Sequence, residues 1–158
     1  MGVLYLFFVP NSSLFGITYI SYHEDIYSKG YSTESISKVE LNSRNYQVNV
    51  VPSSTDEISL KVYSNSLGFV LVKNSEVVIN ESVEGNTLIF NVTEPYGLAT
   101  ANSSYIELRV PAVDNLDITL TNRNATTYLN SSDLVINNLT YRTSNGDFNF
   151  ESGVIRGS

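Results

Sequence analysis

Strict alternation of apolar and polar residues marks three segments of this 158-residue chain. The apolar positions are Ile58, Leu60 and Val62, then Leu88, Phe90 and Val92, and finally Ile106, Leu108 and Val110. Successive side chains of a β-strand point to opposite faces, so a period of two predicts strands with one buried face and one solvated face. The same reading predicts strands over Lys38–Leu41, Gln47–Val51, Ile58–Tyr63, Val77–Asn80, Thr87–Val92, Tyr105–Val110, Leu116–Thr121, Leu134–Asn137, Thr140–Thr143 and Asp147–Phe150.

The composition supports an all-β fold. Asn, Ser, Thr, Tyr and Val are abundant, whereas long runs of strong helix formers are scarce. β-branched and aromatic residues suit pleated surfaces, and Asn, Ser and Gly supply turns. Hydrophobic residues make up 42% of the chain, enough for the core of one domain of this length.

The formal net charge of -7 argues against nucleic acid as a partner. Phosphate binding needs clustered Lys and Arg, and the nine basic residues here are scattered singly. The chain has no cysteine, which excludes disulfides, thiolate metal sites and cysteine nucleophiles. The absence of thiols fits an extracytoplasmic protein.

The N-terminal segment differs from the rest of the chain. The run Val3 to Val9 is wholly apolar and ends at Pro10, but it is too short to cross a bilayer, which takes about 20 helical residues. It is either the remnant of a membrane anchor or a buried element of the domain. Residues 1–35 are therefore predicted to be an apolar N-terminal appendage and linker, and residues 36–158 the β domain. The segment could also join two copies into a homo-oligomer.

Three segments align with one another without gaps. They begin at Val39, Ile118 and Leu139, and each has apolar residues at its first, third and twelfth places. The seventh place is Asn in all three, as Asn45, Asn124 and Asn145. Asn tolerates the left-handed backbone conformation, so a recurrent Asn predicts a recurrent corner. The offset of 21 residues between the last two segments is plausible for one coil of a β-solenoid.

The stretch Arg142 to Phe150, "RTSNGDFNF", has two interpretations. Asn145-Gly146 between alternating residues is typical of a two-residue hairpin, which would place Tyr141 opposite Phe150. The alignment instead favours a corner between two strands of a coil, with Asn145-Gly146 taking the left-handed turn. The predicted architecture is accordingly a β-solenoid-like stack of short strands, with an antiparallel β-sandwich as the alternative.

Residues 38 to 158 resemble the bacterial putative-adhesin domains of unknown function, described as toast-rack or right-handed β-helix adhesins. The resemblance is carried by "VELNSRNYQVNVVPSSTDEISLKV" from Val39, "LRVPAVDNLDITLTN" from Leu108 and "LTYRTSNGDFNFESGVIRGS" from Leu139. The family typically has later coils of the Thr-x-Asn-Gly-Asp type, which Thr143 to Asp147 match. Only one of the aligned segments carries the full Asn-Gly-Asp. The resemblance implies a right-handed β-solenoid-like stack that lies at the cell surface behind a membrane anchor. An envelope-stress role is compatible with the resemblance.

Few residues offer catalytic chemistry. His23 is the only histidine, and a lone His beside Glu24 and Asp25 is more often solvent-exposed than part of a Ser-His-Asp device. Carboxylates at predicted turns are the other candidates for a polysaccharide-cleaving or calcium site: Asp56, Glu57, Asp114, Asp117, Asp133 and Asp147. Single aspartates at turns normally cap their own backbone. No catalytic residue, metal ligand or cofactor is therefore assigned.

Tyrosines in the β region are candidate sugar-stacking residues, because their rings combine apolar faces with a polar tip. They are Tyr63, Tyr96, Tyr105, Tyr128 and Tyr141. Tyrosine in a strand more often serves as packing material. The sequence favours a non-enzymatic, membrane-tethered, extracytoplasmic domain that binds a cell-envelope glycan or a protein. The alternatives are a polysaccharide-acting enzyme and a structural or self-assembling surface module.

Overall fold

The structure, a computed structural model, describes residues 19–69, 77–94, 98–102, 104–113 and 115–157. Every regular element in this part of the chain is a β-strand, which confirms the predicted all-β class. The strands are β1 (Tyr19–Tyr27), β2 (Tyr31–Ser32), β3 (Lys38–Ser43), β4 (Gln47–Pro52), β5 (Glu57–Phe69), β6 (Val78–Glu84), β7 (Thr87–Thr93), β8 (Leu98–Asn102), β9 (Tyr105–Val110), β10 (Asp117–Asn122), β11 (Thr127–Ile136), β12 (Asn138–Arg142) and β13 (Phe148–Ile155).

The strands form two sheets. The eight-stranded sheet runs in the order β1-β5-β9-β4-β11-β13, with β2 and β8 also paired to β5. The five-stranded sheet runs in the order β12-β10-β3-β7-β6. Within both sheets the central strands pair in parallel, and antiparallel pairing is confined to the partners of β5 and to β6 with β7. An antiparallel sandwich is therefore wrong for the centre of the molecule.

The parallel pairing follows the aligned segments residue by residue. Val39 pairs with Ile118, and Ile118 pairs with Leu139. At the other end of the segments, Val50 pairs with Leu129, and Leu129 with Phe150. The repeat predicted from the sequence is thus a set of strand pairs that lie beside one another in both sheets. A right-handed solenoid remains a prediction at this point.

One hydrophobic core lies between the sheets. The alternation predicted from the sequence is present in β9, where Ile106, Leu108 and Val110 are buried while the residues between them are partly exposed. Leu88 and Phe90 of β7 enter the same core from the five-stranded sheet. The side chains of β4, β5 and β9 that do not enter the core form the outer face of the eight-stranded sheet.

The N-terminal region contains more structure than the linker that the sequence predicts. β1 pairs with β5 along nine residues, from Tyr19 with Phe69 to Tyr27 with Lys61. Tyr31 of the predicted linker packs edge-to-face with Phe90, with ring centroids 6.2 Å apart, and Ile36 at the start of the predicted β domain is buried. The apolar run Val3 to Val9 lies outside the described residues, and the domain boundary near residue 35 stays a prediction.

The segment "RTSNGDFNF" is a corner between the two sheets, not a hairpin. β12 belongs to the five-stranded sheet and β13 to the eight-stranded sheet. The left-handed turn predicted at Gly146 is wrong, because only Gly85 and Gly153 among the described glycines have a positive φ. Gly146 is needed for space, since a Cβ there would run into the carbonyl of Ala125. Tyr141 and Phe148 instead pack together across the corner, with ring centroids 5.1 Å apart.

Candidate functional site

The corners of the aligned segments are held by a ladder of asparagine side chains. Asn124 donates its amide Nδ2–H to Asn45 Oδ1 at 2.7 Å, and Asn145 donates to Asn124 Oδ1 at 3.1 Å. At the first corner the Glu94 carboxylate accepts the backbone N–H groups of Arg44, Asn45 and Tyr46 at 2.8–3.1 Å. The recurrent Asn is therefore a structural device, which fixes how the strands on either side of it are positioned.

The outer face of the eight-stranded sheet carries a stacked pair of tyrosines. Tyr63 of β5 and Tyr105 of β9 are register partners, and both point away from the core. Their ring centroids lie 5.0 Å apart at an interplanar angle of 20°. Each ring restricts the rotation of the other, so the pair forms a rigid aromatic projection from the sheet.

Charged side chains lie beside this pair, and each cation has an anionic neighbour. Arg109 donates Nε–H and Nη2–H to Glu107 Oε1, both at 2.6 Å. Lys61 Nζ lies 3.9 Å from Asp25 Oδ1 and 5.6 Å from the centroid of the Tyr27 ring. Burial by itself would lower the pKa of Lys61, but Asp25, Tyr105 and Tyr27 outweigh it and raise that pKa above its ordinary value.

Strand β4 places two amides between the aromatic residues of this face. Gln47 donates Nε2–H to Asn49 Oδ1 at 2.9 Å. Gln47 is the register partner of Tyr105 on β9, and Asn49 is the partner of Tyr128 on β11. Since adjacent strands lie about 4.8 Å apart, the strands that carry Tyr105 and Tyr128 are separated by about 10 Å. We call the surface formed by Tyr63, Tyr105, Gln47, Asn49 and Tyr128 the amide trough.

The fold thus brings together three of the five tyrosines that the sequence suggested. Tyr63, Tyr105 and Tyr128 share the outer face, whereas Tyr96 lies outside the described residues. Tyr141 is on the other sheet, and its hydroxyl donates to the Asp147 carbonyl at 3.1 Å. Sequence reasoning missed Gln47 and Asn49. Their signal was available, because both alternate with the buried Val48 and Val50.

The carboxylates suggested by the sequence do not converge. Asp117 opens β10, where its Oδ1 accepts the side-chain amides of Asn137 and Asn138 at 2.7 and 2.9 Å. Asp133 lies in the other sheet, on β11, and its backbone N–H donates to Ser131 Oγ. The third, Asp147, precedes β13, and its backbone carbonyl accepts Thr127 N–H.

The remaining acidic candidates and His23 do not form a described cluster either. Asp56 and Glu57 are exposed at the start of β5, and Asp114 is outside the described residues. His23 is in β1 opposite Asn65, in a strand instead of the predicted polar loop. Within the described ranges, no group of three or more His, Asp or Glu side chains could hold a metal ion. Nor do these ranges contain a helix of the length and hydropathy that a membrane span requires.

The chain was compared with known proteins. No family model and no curated protein matches the sequence. A putative cell adhesion protein from Clostridium sporogenes matches in structure with a TM-score of 0.52 at 10% identity, over 78% of this chain and 58% of its own. The chain shares its fold with this adhesion protein. The predicted resemblance to putative adhesins is thereby confirmed at the level of the fold.

Two further structures are similar over comparable lengths. A putative adhesin from Bacteroides fragilis has a TM-score of 0.37 at 14% identity and is covered over 60% of its length by 85% of this chain. A putative adhesin from Parabacteroides distasonis has a TM-score of 0.40 at 9% identity, with 80% of this chain covering 56% of that one. The chain spans less than two thirds of the length of each of these adhesin structures.

Proposed function

We propose that this chain is a non-catalytic, adhesin-like domain that acts outside the cytoplasm and binds a cell-envelope component or a protein partner. The observation that carries the proposal is the outer face of the eight-stranded sheet, where polar and aromatic side chains project from paired strands. A sheet face of this kind holds its side chains at fixed spacings, so little conformational entropy is lost on binding. The fold shared with an adhesion protein supports the same function.

The proposal includes the architecture and the attachment predicted from the sequence. The in-register parallel pairing and the asparagine corners support coils of a right-handed solenoid. The apolar run Val3 to Val9 is proposed as part of a membrane tether in the full-length protein. An envelope-stress role rests on the family resemblance alone.

Binding of the purified protein to isolated bacterial cell envelopes tests the proposed face. Asn49→Arg places a bulky cation on the outer face of the eight-stranded sheet, and we expect it to weaken the apparent affinity by at least about tenfold, the effect of losing about 1.4 kcal/mol. Thr140→Arg is the matched control, because it adds the same charge to exposed β12 of the other sheet. Equal binding by both variants and the unchanged protein would contradict the proposal.

A second candidate function is self-assembly, and it is favoured by the apolar surface of β13. Phe150, Val154 and Ile155 are 45%, 46% and 40% exposed on this strand, which is the last one of the eight-stranded sheet among the described residues. Exposed strand edges with apolar side chains pair readily with another chain. Sedimentation velocity over a range of protein concentrations tests this candidate. If the chain self-assembles, its apparent mass should rise with protein concentration. Phe150→Ser should then return the apparent mass to the value of the monomer.

A further inference from the structure

We propose that the amide trough binds a neutral, extended polysaccharide, an inference that rests on the proposed binding function of this face. The trough has aromatic side chains on both sides, with the Tyr63–Tyr105 pair on one side and Tyr128 on the other. Its floor is the hydrogen-bonded pair Gln47 and Asn49. The combination of aromatic walls and an amide floor determines the class of ligand.

The aromatic walls fit the apolar faces of sugar rings. A pyranose ring presents C–H groups on its faces and hydroxyls around its edge, and tyrosine presents an apolar face with a polar tip. The strands that carry Tyr105 and Tyr128 lie about 10 Å apart, so the two tyrosines flank the amides of β4. Tyr105 lies beside Gln47, whereas Tyr128 lies beside Asn49, two residues further along β4. An extended sugar chain that runs diagonally across the strands can therefore contact both tyrosines with different sugar units.

The amide floor fits the sugar hydroxyls. A primary amide has two N–H donors and a carbonyl with two lone pairs. The bond from Gln47 to Asn49 uses one donor and one lone pair, so the pair retains donors and acceptors of both kinds. Hydroxyls also act both as donors and as acceptors, and an amide can therefore bond to them in either sense.

The charges beside the trough favour a neutral ligand. Arg109 is bonded to Glu107, and Lys61 lies beside Asp25, so these neighbouring cations and anions balance. An anionic polymer would have to break one of these pairs and would also approach a protein of net charge -7. A cationic polymer would have no unpaired carboxylate beside the trough, because Asp25 lies against Lys61 and Glu107 is bonded to Arg109. Salt screens its attraction to the net charge of the protein. A neutral chain meets none of these costs.

The position of the trough in the sheet disfavours an extended peptide. Peptides that add to a sheet use the main-chain groups of an exposed edge strand. Strand β4 is paired on both sides, with β9 and with β11, so its main chain is engaged in the sheet. Recognition at the trough must therefore proceed through side chains, as in the stacking and hydroxyl contacts argued above.

Isothermal titration with four hexasaccharide probes in 0.15 M salt tests the inference. Cellohexaose and chitohexaose are neutral, the deacetylated chitosan hexamer is cationic, and hexagalacturonate is anionic. We expect at least one neutral hexamer to bind and both charged hexamers to bind at least about tenfold more weakly. Binding of neither neutral hexamer, or tighter binding of a charged one, would overturn the inference.

Two matched tyrosine variants localise the binding. Tyr128→Ala removes one wall and is expected to weaken binding of the neutral hexamer about tenfold. Tyr27→Ala removes an exposed tyrosine from edge strand β1 of the same sheet, outside the trough, and is expected to leave binding unchanged. Equal effects of the two substitutions would contradict a site in the trough.

Treated cell envelopes distinguish failure of this inference from failure of the proposed function. Periodate cleaves the vicinal diols of cellohexaose-type chains, chitinase cleaves N-acetylated chains that lack such diols, and protease removes protein. Loss of binding after periodate or chitinase, sensitive to Tyr128→Ala, supports the glycan. If only protease abolishes binding, and Asn49→Arg still weakens it, the binding face is correct but its ligand is a protein and not a glycan. Insensitivity to both substitutions would reject the face itself.

Discussion

At the scale of single residues, two glycines serve opposite purposes. Gly146 lies outside the left-handed region but has no room for a Cβ, which would meet the Ala125 carbonyl. Gly85 has open space around it but a φ of 61°, in the left-handed region. The sequence predicts a turn at Asn145-Gly146, but it does not show which of the two constraints applies at a glycine. Only the packing of the neighbouring corner separates them.

The two glycine positions should therefore differ in which replacement residues they tolerate. Gly146→Ala and Gly146→Asn are both expected to lower the free energy of unfolding by about 1–3 kcal/mol, because either side chain overpacks the corner. Gly85→Ala should cost about 1 kcal/mol, whereas Gly85→Asn should cost less, since Asn tolerates the left-handed region. Urea unfolding of the four variants checks this. Rescue of position 146 by Asn would show that conformation, not space, is the constraint there.

Alkaline pH should destabilise the protein through Lys61 and Tyr31. The pKa of Lys61 is raised as described above, and burial raises the pKa of Tyr31, with Glu81 adding to the rise and Lys29 opposing it. Both groups hold their protons more tightly when folded. Their contribution is fully present below the unfolded pKa values near 10 and is lost as the pH rises through the folded ones.

Urea unfolding at several pH values from 7 to 11 measures this loss. We expect the free energy of unfolding to fall across the alkaline part of this range. Lys61→Met and Tyr31→Phe cannot titrate, so each should make the fall shallower than in the unchanged protein. Tyr31→Phe keeps the ring that packs against Phe90, which limits its effect at pH 7. A slope that neither variant alters would assign the alkaline loss to other groups.

At the scale of elements, the sequence predicts pairing where the chain repeats without insertions. The strands that begin the segments from Val39, Ile118 and Leu139 pair in parallel, in the register that the ungapped sequence alignment predicts. A fourth pair of strands, β7 and β9, belongs to the same stack but escapes an ungapped alignment. Lys38 pairs with Thr87, 49 positions on, whereas Val48 pairs with Ile106, 58 positions on. The nine extra residues between β7 and β9 hide the repeat.

The asparagine ladder should contribute to stability in proportion to the bonds that each residue makes. Asn124 joins both neighbours, so Asn124→Ala is expected to lower the free energy of unfolding by about 1–2 kcal/mol, and Asn145→Ala by about half as much. Asn149→Ala, an exposed position on β13, is the control and should change it by less than about 0.5 kcal/mol. Thermal and urea unfolding give these values. Equal costs at positions 124 and 149 would remove the ladder as a stabilising feature.

At the scale of the whole molecule, the sequence predicts the strands that line the core better than it predicts the strands at the edges of the sheets. The buried strands alternate cleanly because one face must exclude water, and most of them are predicted. Edge strand β1 reads as a tyrosine-rich linker, because its stability comes from pairing with β5 and not from its own pattern. The alternation in β4 shows that Gln47 and Asn49 face outward, but it does not show the amide trough, since β4, β9 and β11 meet only through the fold.

Deletions at the N-terminus test where the folded unit begins. Removal of residues 1–18 retains every described strand, and we expect cooperative unfolding with the same urea midpoint. Removal of residues 1–27 also deletes β1, exposes the edge of β5 along residues 61–69 and uncovers Ile26 contacts with the core. This deletion should lower the free energy of unfolding by at least about 2 kcal/mol and promote aggregation through the new edge. If the two truncated proteins unfold at the same midpoint, β1 is dispensable and the folded unit begins nearer to the predicted boundary at residue 35.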